Sequence, residues 1–148
     1  MAVRKPFDVL LAKIENIDGY IQELEPLVQT PFAEFLERPY YRRAAERLIQ
    51  VIVEGAVDCG AIVLNQMGKP VPGTSREIFA YLHRFGVLDR PLAQRFQDYV
   101  GLRNRIVHDD ARIEAPLVYR VDRRLIQDSR AHSSPLLRWI ERAARRPR

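Results

Sequence analysis

A single cysteine, Cys59, stands in the 148 residues, so no intrachain disulfide braces the fold and a buried apolar core has to hold it. Cys59 lies inside an apolar run and reads as a small core side chain. Lysine occurs only at Lys5, Lys13 and Lys69, which leaves arginine to supply most of the positive charge. No uninterrupted apolar stretch reaches the length of a membrane span. The first twenty residues place Asp and Glu among their apolar positions, which argues against a signal peptide. Strand-type alternation, internal repeats, long heptad arrays and low-complexity tracts are also missing. These absences predict one all-α domain over residues 1–148, soluble, cytoplasmic and without membrane contact.

What is present begins with charge. The formal net charge is +5 and the pI about 9.7. Guanidinium groups make forked contacts to phosphate, so a polyanionic partner fits this balance. The charge is spread along the chain and densifies only at Arg138, Arg142, Arg145, Arg146 and Arg148. Such a run reads either as a solvated helix end or as a nucleic-acid contact.

Helical periodicity runs through the chain. Phe7, Leu10, Ile14, Ile17, Ile21, Leu24 and Val28 alternate steps of three and four, the narrow seam of a bundle helix. Thr30 to Glu37 predicts a brief helical turn. Tyr41 to Met67 carries Ala45, Leu48, Ile52, Ala56, Cys59 and Val63 on one side and is expected to be the central helix. After the turn-rich Gly68 to Gly73, Thr74 and Glu77 form a capping box that opens a short helix ending near Gly86. Asp89 to Pro91 starts another, expected to reach about Val107. Glu114 to Pro116 starts the next, with Ser134 and Pro135 as a fresh cap that leaves open whether Pro135 kinks or splits it. The expected fold is a bundle of about five helices.

One helix breaks its own pattern. From Leu92, steps of four, three, four and three reach Phe96, Tyr99, Arg103 and Ile106, so an arginine fills a slot otherwise given to apolar side chains. A guanidinium aimed inward needs a carboxylate such as Asp58 or Glu54, a path to solvent, or an anionic partner in a wet cleft. His108 follows five residues later, about 140° around a straight helix from Arg103. The two converge only if the helix ends or bends near Val107, or if a second subunit supplies one of them. Asn104, one turn before His108, is placed to orient its imidazole. A histidine at a helix end also reads as a dipole-stabilised cap.

The run from Tyr99 to His108 resembles the Arg-(four to six)-His signature of HEPN domains, in the Arg-Asn-x-x-Val-His form of HepT-like proteins. Ala56 to Asp58, the layout from Pro72 to Phe79, the Phe85 to Val87 turn and Ile113 to Tyr119 also sit where that family has counterparts, so the likeness spans about residues 8 to 125. The resemblance implies a homodimeric HEPN-like bundle whose two motifs face each other across a cleft for RNA. It also implies a toxin paired with a small nucleotidyltransferase antitoxin of the MntA kind. The expected activity is that of an endoribonuclease needing no metal or other cofactor. His108 would take the ribose 2′-hydroxyl proton, Arg103 would hold the phosphate, and Asn104 would position either. His83, His108 and His132 show no metal-ligand spacing.

One position departs from the family pattern. Where the antitoxin-modified toxins continue His-x-Tyr, with AMP carried on that tyrosine, this chain reads His108-Asp109-Asp110. Asp110 has no phenol, Tyr119 is the alternative acceptor, and two carboxylates beside the cleft repel RNA phosphate. A catalytically silent dimer that binds the antitoxin or RNA is therefore the second reading, and a helical adaptor the third. Asp58 and Glu54 are candidates for acid catalysis or for pairing with Arg103. Tyr40, Tyr41 and Trp139 are expected at the edge of the core, and His83 and His132 at the surface.

Overall fold

The computed structural model describes residues 4–108 and 113–145, and these form six helices with no strand among them. They are α1 (Arg4–Gln29), α2 (Phe32–Glu37), α3 (Pro39–Gln66), α4 (Ser75–Arg84), α5 (Arg90–His108) and α6 (Ala115–Arg145). Asp110 lies outside the described residues.

The seam of α1 is buried from Leu10 to Val28 and packs chiefly on α3 and α6. α3 touches all five other helices, as expected of the central helix. By length and composition α3 is also apolar enough to cross a membrane, but its central position in the bundle accounts for that composition. Cys59 is fully buried in it, and burial pushes the thiol up to about 12.

Local signals place α4 and α5. Thr74 Oγ1 accepts the Glu77 N–H at 3.4 Å to open α4. Gly86, at φ +79°, closes it, the Val87 N–H reaching back to the Leu82 carbonyl at 2.8 Å. Asp89 Oδ1 then accepts the Leu92 N–H at 2.9 Å to start α5. α5 is tied to α6 through Asp128, which accepts Arg95 Nε at 3.0 Å and the Tyr99 hydroxyl.

α6 departs from expectation. No new cap forms at Ser134, and the helix runs unbroken through Pro135. Pro135 has no N–H to give the Ala131 carbonyl, yet buried His132, Ser133, Leu136 and Ile140 lie on one helical stripe and hold both halves against the core. His132 is therefore not a surface residue. It is buried against the stacked rings of Phe79 and Phe96, and desolvation lowers its pKa to about 4, so it is neutral. Tyr40 departs in the other direction. It is 78% exposed, whereas Tyr41 and Trp139 are half-buried at the core edge as expected.

Candidate active site

α5 remains helical through His108, so no bend within the described helix brings His108 round to Arg103. Ideal geometry sets the two about 7.5 Å apart along the axis and about 140° around it. They sit in different surroundings. The Arg103 side chain is only 17% exposed and faces α3, whereas His108 is exposed at the last turn. One chain thus presents the two halves of the motif on separate faces.

The inward slot of Arg103 is explained by Glu54. Arg103 Nε lies 4.0 Å from Glu54 Oε1, close enough for charge attraction and too far for a hydrogen bond. Its Nε is buried without a hydrogen-bond partner. The Glu54 carboxylate is instead taken by Gln50 Nε2 at 3.1 Å. Arg103 is therefore held beside Glu54 by charge alone, with no hydrogen bond from its buried Nε.

Asp58 is not brought to Arg103. One turn beyond Glu54 on α3, it pairs with Lys13 of α1 at 3.3 Å and is more than half exposed. Asn104 and His108 share an exposed stripe of α5, with no hydrogen bond between their side chains. His83 is at the surface, its Nδ1 3.1 Å from the Leu88 carbonyl oxygen. The phenol of Tyr119 donates to the Thr30 carbonyl at 2.7 Å, its ring packed on Phe32 and Phe35, so this alternative acceptor has a structural role.

Two contributors escaped the sequence reading. Arg42 at the start of α3 is bonded to Glu46 at 3.1 Å and donates to the Ile113 carbonyl, just before α6. Nothing in its local spacing marks it, because the partner is 71 residues away. The second is a cluster of Arg76, Arg105 and Arg124 around a cavity of about 460 Å³ between α4, α5 and α6. A larger cavity of about 650 Å³ lies towards the other end of α5, among Phe7, Phe85 and Trp139, and contains no motif residue.

Comparison with known proteins gives a consistent picture. The family profile described as "Ribonuclease HepT-like" matches residues 17–135. The tRNA nuclease HepT of Aphanizomenon flos-aquae is 27% identical over 101 residues, covering 68% of this chain and 69% of that protein. The mRNA nuclease HepT of Shewanella oneidensis is 24% identical over 121 residues, covering 82% and 90%. Among solved structures, the tri-AMPylated Shewanella oneidensis HEPN toxin, in complex with its MNT antitoxin, superposes with a TM-score of 0.81 at 22% identity, covering 87% of this chain and 96% of that one.

Proposed function

The chain belongs to the HepT-like ribonuclease family, and from this we propose that it is an endoribonuclease toxin of a toxin–antitoxin module, acting in the cytoplasm with Arg103 and His108 as its catalytic pair. The observation that carries the assignment is Arg103, sequestered against α3 with an unpaired Nε, on the helix that ends in exposed His108. The partner is a small nucleotidyltransferase antitoxin, a reading supported by the complex in which the structurally similar toxin was solved.

In the proposed chemistry, neutral His108 accepts the 2′-hydroxyl proton. The 2′-oxygen attacks the adjacent phosphorus, the bond from phosphorus to the 5′-oxygen breaks, and that oxygen takes a proton from water while His108 returns its own to solvent. The products are a 2′,3′-cyclic phosphate and a 5′-hydroxyl. Arg103 stabilises charge gathering on the non-bridging oxygens, a role for which its unused donors fit. Asn104 positions His108 or a phosphate oxygen. No step calls for a metal ion.

Because α5 separates the two residues, the active unit is a homodimer in which Arg103 of one copy meets His108 of the other across a two-fold axis. The test is cleavage of labelled RNA by wild type, Arg103→Ala and His108→Ala in excess chelator, with circular dichroism to confirm folding. Wild type alone should cut, and each variant should lose at least about a hundredfold in rate.

The sequence His108-Asp109-Asp110 motivates a second reading, a silent dimer that binds antitoxin or RNA. It requires wild type to be as inert as His108→Ala while binding equally well.

A further inference from the structure

Arg76, Arg105 and Arg124 come from three different helices and surround one cavity. Among the described residues, none of the three has a carboxylate within 4.0 Å or a side-chain hydrogen bond, although Asp98 also lines the cavity. Three guanidinium groups beside a single carboxylate, that of Asp98, leave the rim of the cavity net positive among the described residues, a binding surface for an anion. Between them lies an apolar floor of Leu102, Leu117 and Val121. A purely electrostatic patch would not need it. An arginine rim over an apolar floor matches the two halves of a nucleotide, phosphate and base.

The register of α5 relates this cavity to the motif. Gly101, Leu102 and Arg105 line it, and His108 lies three residues beyond Arg105 and seven beyond Gly101, on the same helical stripe. Arg103 falls on another face. Gly101 has a specific part in this arrangement, because a Cβ there would meet the Arg76 guanidinium, which lies against the helix where the glycine leaves room.

We propose that this cavity is a nucleotide subsite, seating one ribonucleotide of a single-stranded RNA beside His108, with its phosphate on Arg76, Arg105 and Arg124 and its base on Leu102, Leu117 and Val121. The proposal rests on the nuclease reading and adds to it where the strand next to the scissile phosphate is held.

The experiment measures binding of a fluorescently labelled single-stranded RNA to the His108→Ala protein, which holds the strand uncut, across a salt series. Adding Arg76→Ala and Arg124→Ala to that background should weaken binding about tenfold or more and make the slope of log affinity against log salt shallower by about 1.4, near 0.7 for each arginine withdrawn from the phosphate. Adding Arg138→Ala, at the remote cavity, should change neither. Gly101→Ala is the second probe. It should leave the thermal midpoint unchanged or higher, since alanine favours the helix, while weakening RNA binding by displacing Arg76.

Unchanged affinity and slope in the double variant, an equal loss from Arg138→Ala, or no RNA binding by the His108→Ala protein would overturn the subsite. The two readings fail separately. If wild type cuts RNA and the Arg76→Ala, Arg124→Ala protein cuts and binds like it, the subsite is wrong and the nuclease stands. If wild type never cuts but loses RNA when the two arginines are removed, the nuclease reading falls and the subsite remains.

Discussion

Asp122 is a buried carboxyl on α6 without a hydrogen-bond partner among the described residues, and burial, aided by the charge of Glu46, pushes it up to about 8. Its unfolded value is near 3.8, so the unfolded chain gives up the proton first as pH rises. Asp122 therefore contributes a loss of stability from about pH 4 to about pH 8, at roughly 1.4 kcal/mol per pH unit. His132 has the opposite sign. Its folded pKa of about 4 lies below the ordinary 6.5, so its contribution rises with pH across that interval and is lost on acidification. The two slopes oppose each other between about pH 4 and 6.5, and above that range Asp122 acts alone. Urea denaturation should show wild type less stable at pH 8 than at pH 6.5 by up to roughly 2 kcal/mol, and Asp122→Asn should remove most of that difference. A variant as pH-sensitive as wild type would refute the assignment. At this scale Arg103 was legible because it interrupts an apolar rhythm. His132 was not, because Asp128, Ser129 and Ser133 share its buried face and make a helix interior read as a polar turn.

At the scale of elements, the contact between α5 and α6 depends on a polar knot. Asp128 is almost fully buried and satisfies both Arg95 and Tyr99, and its neighbourhood raises the pKa of the phenol, first through desolvation and then through the hydrogen bond to the carboxylate. Removing the carboxylate strands both partners, so Asp128→Ala should cost about 3 kcal/mol. Tyr99→Phe leaves the pair with Arg95 intact and should cost about 1 kcal/mol. Chemical denaturation checks both values, and equal costs would show that the knot is not centred on Asp128. The seam of α1, the cap of α4 and the start of α5 could all be read from spacing and capping residues, which act locally. The continuity of α6 through Pro135 could not, because tertiary burial on both sides of the proline maintains it. The side chains around Arg103 divide in the same way. Glu54 was a named candidate, while the pairing of Asp58 with Lys13 depends on how α1 lies along α3, which spacing does not encode.

For the whole molecule, the bundle and the family could be read from its periodicities and one motif, whereas the proposed active site is completed only by a second copy. In solution the protein should scatter light as a dimer, and a monomer would contradict the shared site. Mixing inactive copies is more direct. In a composite site, an Arg103→Ala copy paired with a His108→Ala copy retains one intact Arg103 and one intact His108 facing each other. The decisive measurement is cleavage of labelled RNA in excess chelator by an equimolar mixture of Arg103→Ala and His108→Ala protein, unfolded and refolded together, beside each alone and wild type treated alike. Each variant alone should be silent and the mixture should recover about a quarter of wild-type activity, from half the dimers carrying one of two sites, with cyclic-phosphate ends on the product. A mixture as silent as its components, beside an active wild type, would contradict a catalytic pair shared between copies, and an inert wild type would contradict the nuclease itself.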